Sequence, residues 1–261
     1  MDLTECKHWF LAYARQFYTP NEEDQRNIKL KEDHSFRVLD NADALCKAHD
    51  FSPSLAYLTR LAALFHDIGR FEQYKRFHTF NDSISLDHAR LGFRMLKENR
   101  VLDFLEPDDR RLVLIAVLLH NKKTLPTVLR QNYLKCVRAV RDADKLDILP
   151  VVIEYMASEK KDPTITLGLQ DRPDYFSSQV LEQVLSRSLV NYQDMVYVND
   201  FKLLMLSWVY GLNFAHSFAL LDQNNYVHIL LDMLPESRDL DVLKKILLQY
   251  VHEQCGLERV I

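Results

Sequence analysis

Six side chains of types that bind metal ions lie at or near the apolar faces of predicted helices in roughly the first 150 residues. They are His34, His66, Asp67, His88, His120 and Asp144. One inward histidine is ordinarily a core residue, and His88 alone would be interpreted in that way. Six buried imidazoles and carboxylates, however, carry large desolvation costs that a shared cation would offset. Four nitrogen and two oxygen ligands favour iron, manganese, cobalt or zinc, and they are too rich in nitrogen for calcium.

The stretch LTRLAALFHDIGRF, residues 58–71, must position the central His-Asp pair at residues 66–67. Its apolar residues recur at three- and four-residue spacing, which is the period of a buried helical face. The Ser-Pro pair at residues 52–53 is typical of a helix start. We expect the helix to end at Gly69, with the imidazole on its packed side.

Helical periodicity continues through most of the chain. Predicted helices cover residues 3–18, a long segment that Asn21 caps, a segment that Asp82 or Ser83 caps, a segment that starts at Pro107, and residues 134–149, 181–192, 201–221 and 242–251. Residues 72–82 are predicted to form a loop, and residues 164–167 a short strand. With only five glycines in 261 residues, these patterns favour an all-α protein.

The composition is that of an ordinary globular protein, with 48% hydrophobic and 27% charged residues. The net charge of −4 disfavours a dedicated duplex nucleic-acid binder. Four cysteines without a CxxC pair favour a reduced, cytoplasmic protein over a disulfide scaffold. We expect no signal peptide and no membrane span, because the longest apolar stretches are too short to cross a bilayer.

Three short motifs carry a resemblance to a known family: HSFRV from His34, HDIGR from His66 and DADKLD from Asp142. Together they resemble the HD superfamily of metal-dependent phosphohydrolases over about residues 25–150. The resemblance implies a helical HD domain, which we assign to residues 1–158. Residues 159–261 are then expected to form a helical extension packed on it.

The resemblance also implies a division of the ligands. His34, His66, Asp67 and Asp144 would hold one metal ion, and His88 and His120 resemble the subgroup that holds a second one. Asp67 would bridge the two ions. The chain lacks the GYP triplet of relatives that hydrolyse cyclic di-GMP, which disfavours that substrate.

Substrate phosphates would need fixed positive charge near these ligands. Arg70 is the preferred candidate, as a catalytic and substrate-binding residue beside Asp67, because a turn at Gly69 would leave it free to swing over the site. Alternatively, Arg70 pairs with Glu72 or another carboxylate and only holds the loop. Further basic candidates are Arg37, Lys122, Lys123 and Lys145, of which Lys122 and Lys123 equally suit a helix C-terminus.

The favoured function is hydrolysis of a phosphoester or phosphoanhydride by a metal-activated water, with a nucleotide or small phosphorylated metabolite as substrate. Two alternatives stay open. In the first, the protein is an oxygenase, because some relatives with six such ligands use a di-iron centre for oxygen-dependent cleavage. In the second, it is a non-catalytic nucleotide-binding regulatory module.

Overall fold

The computed structural model describes residues 1–157 and 168–256. Within them the chain is all-α, as predicted. The α-helices are α1 Leu3–Arg15, α2 Glu22–Ala48, α3 Pro53–Phe65, α4 Gly69–Phe77, α5 His88–Glu98, α6 Pro107–Leu119, α7 Gln131–Ala157, α8 Ser178–Leu185, α9 Val198–Ser207, α10 Ala215–Gln223, α11 Tyr226–Asp232 and α12 Arg238–Cys255. Short 3-10 helices cover Asp82–Ile84, Tyr192–Asp194 and Trp208–Gly211.

The chain divides into two compact units, Met1–Asp147 and Ile148–Ile261. The boundary that we placed between residues 158 and 159 lies outside the described residues, as does the strand expected at 164–167. Packing of the second part on the first therefore stays a prediction. All six candidate ligands belong to the first unit.

Helix α3 is the centre of the first unit, and it packs against α1, α2 and α6. Its predicted start is confirmed, because the Ser52 hydroxyl accepts a hydrogen bond from the Leu55 amide and proline occupies the first turn. The Asn21 cap of α2 is confirmed too, with its side chain accepting from the Glu23 and Asp24 amides.

The prediction for the residues after His66 was wrong. Helix α3 ends at Phe65, and Gly69 begins helix α4 instead of ending the preceding one. Most of the stretch expected to be a loop, residues 72–82, is therefore helical. Phe71 and Tyr74, one turn apart, are buried on this short helix. A single buried turn gives too short a repeat for periodicity to detect.

The prediction for the start of the following helix was also wrong. Asp82 lies in a 3-10 helix, and α5 begins at His88 with Asp87 as its cap. The Asp87 carboxylate accepts from the amides of the first turn of α5. Ile84, which the predicted helix would have placed on its apolar stripe with His88, is 71% exposed. The true cap stands five residues later than Asp82, and both residues are aspartates, so the sequence offered two acceptable starts.

Helix α7 is longer than predicted and continues through Pro150. In the second unit, the apolar stretch 201–221 divides between α9, a 3-10 helix and α10, and the helix expected over 181–192 ends at Leu185. Helix α11 was not predicted. The final helix α12 is confirmed and extends beyond both predicted ends.

An aromatic cluster holds the junction between α3 and α4. Phe65 and Phe71 flank the His-Asp pair and are fully buried. Both pack on Phe10 of α1, with ring centroids 6.4 and 5.7 Å away. Burial of such rings supplies a large share of core stability. This packing fixes the backbone on both sides of residues 66–67.

Candidate metal centre

The structure brings all six predicted side chains together. They come from the middle of α2, the junction of α3 and α4, the first residue of α5, the residue that follows α6, and α7. The four histidines and Asp67 are at most 4% exposed, and Asp144 is partly exposed. The cluster is thus buried, with an edge towards solvent at Asp144.

The first group consists of His34, His66 and Asp144, whose ligand atoms lie within 4.8 Å of one another. The two imidazole Nε2 atoms are 3.1 Å apart. Asp144 Oδ1 lies 3.2 Å from His34 Nε2 and 3.6 Å from His66 Nε2. Nitrogens bound at right angles to one cation at about 2.1 Å would stand about 3.0 Å apart, so the spacing suits a metal ion.

The second group is centred on His88 and His120, whose Nε2 atoms are 3.0 Å apart. Asp67 Oδ1 lies 3.2 Å from His88 Nε2 and 3.6 Å from His120 Nε2. Its other oxygen, Oδ2, lies 3.5 Å from His34 Nε2. The Asp67 carboxylate therefore stands between the two groups and presents one oxygen to each.

Every imidazole is anchored through Nδ1. His66 Nδ1 donates to the Ala63 carbonyl and His120 Nδ1 to the Val117 carbonyl, each at 2.7 Å. His34 and His88 direct Nδ1 at carboxylates. With the proton on Nδ1, a neutral imidazole carries a lone pair on Nε2. In this tautomer the Nε2 lone pairs of His34 and His66 face each other at 3.1 Å, and those of His88 and His120 at 3.0 Å. A proton or a metal ion shared by each pair would relieve their repulsion, so the donor set fits divalent metal ions.

The electrostatics around the two carboxylates and His88 favour the protonation states that bind metals. Burial alone would raise the pKa of Asp67, but Lys31 and Arg70 outweigh it and hold this pKa well below its usual range. Burial would likewise raise the pKa of Asp144, but hydrogen bonds from the histidines of its group lower it. Burial lowers the pKa of His88 to about 4. Metal binding requires ionised carboxylates and neutral imidazoles, and these three shifts favour those states at Asp67, Asp144 and His88.

The other two histidines with shifted pKa differ from each other. Burial lowers the pKa of His120. Burial would also lower the pKa of His66, but the charges of Asp67 and Asp144 outweigh it and raise this pKa. The raised pKa of His66 reflects the uncompensated negative charge of these two carboxylates, which a bound cation would offset.

Arg70 is not free to swing, which corrects our expectation. Its Nη1 donates to the Phe80 carbonyl at 2.6 Å and to Asp82 Oδ1 at 2.9 Å. Its Nε lies 3.4 Å from Asp67 Oδ1, buried and without a hydrogen-bond partner. The alternative that Arg70 holds the following segment through a carboxylate is thus the better description, although the carboxylate is Asp82 and not Glu72. Arg70 still places a fixed positive charge beside Asp67.

Three further basic candidates are held by protein groups. Arg37 forms a two-pronged ion pair with Asp147, at 2.6 and 3.0 Å. Lys122 pairs with Asp87, and Lys145 Nζ donates to the Arg141 carbonyl at 3.3 Å. Burial lowers the pKa of Lys145 to about 8, helped by the Arg141 charge.

Sequence reasoning missed three residues of the site: Lys31, Asp82 and Asp147. Lys31 Nζ lies 2.8 Å from Asp67 Oδ2. A signal existed for two of them, because Lys31 stands one turn before His34, and Asp147 stands one turn after Asp144 at the end of the quoted DADKLD motif. Asp82 gave no such signal.

A cavity of about 470 Å³ lies elsewhere in the first unit. It is lined by residues near the N-terminal ends of α3, α6 and α7, among them Ser52, Asp108 and Tyr133. Three of the candidate ligands, His66, Asp67 and His120, follow the opposite, C-terminal ends of α3 and α6, and none of the six lines the cavity. The cavity therefore does not contain the cluster, and we base the functional argument on the cluster because its chemistry is specific.

Helices within the described ranges do not combine the length and apolar composition that a bilayer crossing requires. No curated protein and no solved structure matches the chain. The family model for the HD domain matches residues 32–149, a range that contains all six candidate ligands. Members of this family are mostly metal-dependent phosphohydrolases, and HD domains bind divalent metals. Residues 32–149, a little less than half of the chain, are thus identified as an HD domain.

Proposed function

We propose that this protein is a phosphohydrolase that uses divalent transition-metal ions to hydrolyse a phosphoester or phosphoanhydride. The proposed substrate is a nucleotide or another small phosphorylated metabolite. Four imidazole and two carboxylate donors suit iron, manganese, cobalt or zinc. The observation that carries the proposal is the convergence of four imidazole Nε2 atoms on the two oxygens of Asp67.

Six residues would hold the metal: His34, His66, Asp67, His88, His120 and Asp144. Divalent cations in such a site supply Lewis acidity and lower the pKa of a bound water. Asp67 would contribute to both groups, because its two oxygens face different histidines. The Nδ1 anchors keep the imidazoles in the orientation and tautomer that the donor set requires.

Positive charge for a substrate phosphate would come from Lys31 and Arg70. Both side chains are 15% exposed, and both contact the Asp67 carboxylate. Both cations also lie over the Phe80 ring, at 5.2 and 5.9 Å from its centroid. We therefore propose that Lys31 and Arg70 contact the substrate phosphate. Phosphate contacts of Arg37, Lys122 and Lys145 stay predictions, and each would require an existing protein contact to open.

Metal analysis followed by a hydrolysis screen tests the proposed function. The full chain would be purified without chelator, analysed for transition metals, and supplied with nucleotides and small phosphomonoesters while phosphate or pyrophosphate release is measured. We expect stoichiometric metal and release that a chelator abolishes and metal restores. Absence of metal after reconstitution would refute the proposal. Oxygen consumption without phosphate release would instead favour a di-iron oxygenase.

Replacing Arg70 by alanine is expected to lower both turnover and thermal stability. The activation free energy should rise by about 1.5–3 kcal/mol, the contribution of a hydrogen bond to a charged group, and turnover should fall accordingly. Stability should fall because Arg70 also joins Phe80 and Asp82 to α4. The measurements are the rate on the best substrate and the unfolding midpoint, on the same preparation.

Two further variants make this prediction specific. Arg70→Lys should restore only part of the rate, because an ammonium lacks the guanidinium's fixed fork of donors. Arg76→Ala on the same helix removes an exposed pair with Glu72, which should have little effect on either quantity. An unaltered rate in Arg70→Ala would remove Arg70 from the proposed substrate contacts.

A further inference from the structure

Two of the four imidazoles are anchored differently from the other two. His66 and His120 each donate Nδ1–H to the carbonyl of the residue three positions earlier in their own segment. His34 and His88 instead direct Nδ1 at aspartates from other elements. His34 Nδ1 lies 2.6 Å from Asp147 Oδ2, and His88 Nδ1 lies 2.7 Å from Asp82 Oδ2. Each ligand group therefore contains one imidazole held by a backbone carbonyl and one held by a carboxylate.

Each of these carboxylates is held in turn by an arginine. Arg37 binds both oxygens of Asp147, with Nε at 2.6 Å and Nη2 at 3.0 Å. Arg70 Nη1 binds Asp82 Oδ1 at 2.9 Å, and the buried Gln73 amide binds the same oxygen at 2.8 Å. The result is two hydrogen-bonded Arg–Asp–His series, one for each ligand group.

From this arrangement we infer that Asp147 and Asp82 are positioning residues, each of which fixes one imidazole of a different metal ion, with Arg37 and Arg70 holding the carboxylates. The inference rests on the proposed function and adds residues outside the six ligands. It also gives Arg37 a different role from the substrate contact that the sequence suggested. Arg37 holds the Asp147 carboxylate, which in turn holds His34.

The geometry separates these aspartates from the ligands themselves. Nδ1 and Nε2 stand on opposite sides of an imidazole ring, so a carboxylate at Nδ1 is set back from the cluster by the ring. Both oxygens of each aspartate are already engaged, by His34 and Arg37 in one case and by His88 and Arg70 in the other. A carboxylate at this place fixes the tautomer and raises the basicity of the coordinating nitrogen.

The two Arg–Asp–His hydrogen-bond series are built from different elements of the fold. His34 and Arg37 stand one turn apart on α2. Asp147 stands on α7, one turn after the ligand Asp144, so the Arg37–Asp147–His34 series joins two long helices. The other series depends on Asp82, which lies in the short 3-10 helix between α4 and α5 and is 32% exposed. Loss of either aspartate should therefore affect one ion and spare the other.

The test uses Asp147→Asn and Asp82→Asn in the full chain. Each protein would be stripped with a chelator and titrated with Co²⁺, with binding followed by absorbance and by elemental analysis after dialysis. We expect Asp147→Asn to raise the dissociation constant of one ion, and Asp82→Asn that of the other, each by about 10–100-fold. His34→Ala and His88→Ala identify which ion is which.

A matched control is Asp40→Asn, an exposed carboxylate on α2, which should bind Co²⁺ as the parent does. If Asp147→Asn does not fold by circular dichroism, Arg37→Gln replaces it, with the same ion expected to weaken. Parent protein that binds no Co²⁺ would refute the proposed function. If the parent binds Co²⁺ and both Asn variants keep the parent's dissociation constants, only the present inference is overturned. If only one variant binds more weakly, the inference is overturned for the other aspartate.

Discussion

Replacing Asp67 by alanine is expected to abolish hydrolysis and to release both metal ions. Asp67 is the one candidate ligand with an oxygen towards each group, 3.5 Å from His34 Nε2 and 3.2 Å from His88 Nε2. Its removal would also leave Lys31 and Arg70 beside the histidines without the carboxylate that they contact. Uncompensated buried charge of this kind is strongly unfavourable. The loss in metal affinity should exceed the about 10–100-fold typical of an outer partner.

The measurements are metal content after dialysis and the rate of phosphate release. His88→Ala provides the comparison, because it removes a ligand from one group only and should leave the other ion in place. Asp67→Asn keeps the size of the side chain and removes its negative charge. We expect it to lose metal as the alanine variant does, because a neutral amide does not offset the metal charge. Retention of both ions by Asp67→Ala would contradict the proposed bridging role.

Replacing Gly69 by alanine is expected to destabilise the first unit and to displace His88. An added Cβ would lie 2.2 Å from the His88 carbonyl oxygen and 2.6 Å from the Gly92 amide nitrogen. Both are backbone atoms, so helices α4 and α5 would have to move apart. Overpacking of this kind typically costs about 1–3 kcal/mol, and we expect the upper end because no side chain can yield. The unfolding midpoint should fall by several degrees.

Thermal unfolding and metal content, measured together, check this expectation. Gly256→Ala is the matched control, because its added Cβ would have Glu253 O at 4.0 Å as its nearest neighbour. A Gly69→Ala protein with the parent's unfolding midpoint would show that the helices separate without cost. One that loses stability but binds both ions unchanged would show that His88 does not depend on this contact.

Much of the site was predictable because it depends on local patterns. Helical periodicity predicted that His34, His66 and His120 face inward, and the Asn21 and Ser52 caps were correctly placed. Each of these signals acts over a few residues, through backbone hydrogen bonds and side-chain spacing within one helix. Six ligand-type residues on inward faces were therefore visible before any packing was known.

The course of the chain around Gly69 could not be predicted in this way. A glycine after a helix is a common end signal, but here its hydrogen side chain allows α4 to approach the backbone of α5. The reason for this glycine is a contact with residues about 20 positions later. Such a contact exists only once the two helices pack.

The carboxylates that face His34 and His88 were likewise decided by tertiary structure, whereas His66 and His120 are anchored within their own segments. Asp147 stands 113 residues after His34, and no periodicity relates the two positions. Arg37 and Arg70 are plausible phosphate ligands by composition, yet carboxylates from other elements hold both of them. The sequence by itself determined which residues could bind metal, because that depends on side-chain chemistry and helical faces. Only the folded chain decided which carboxylates hold His34 and His88, because that depends on how separate elements meet.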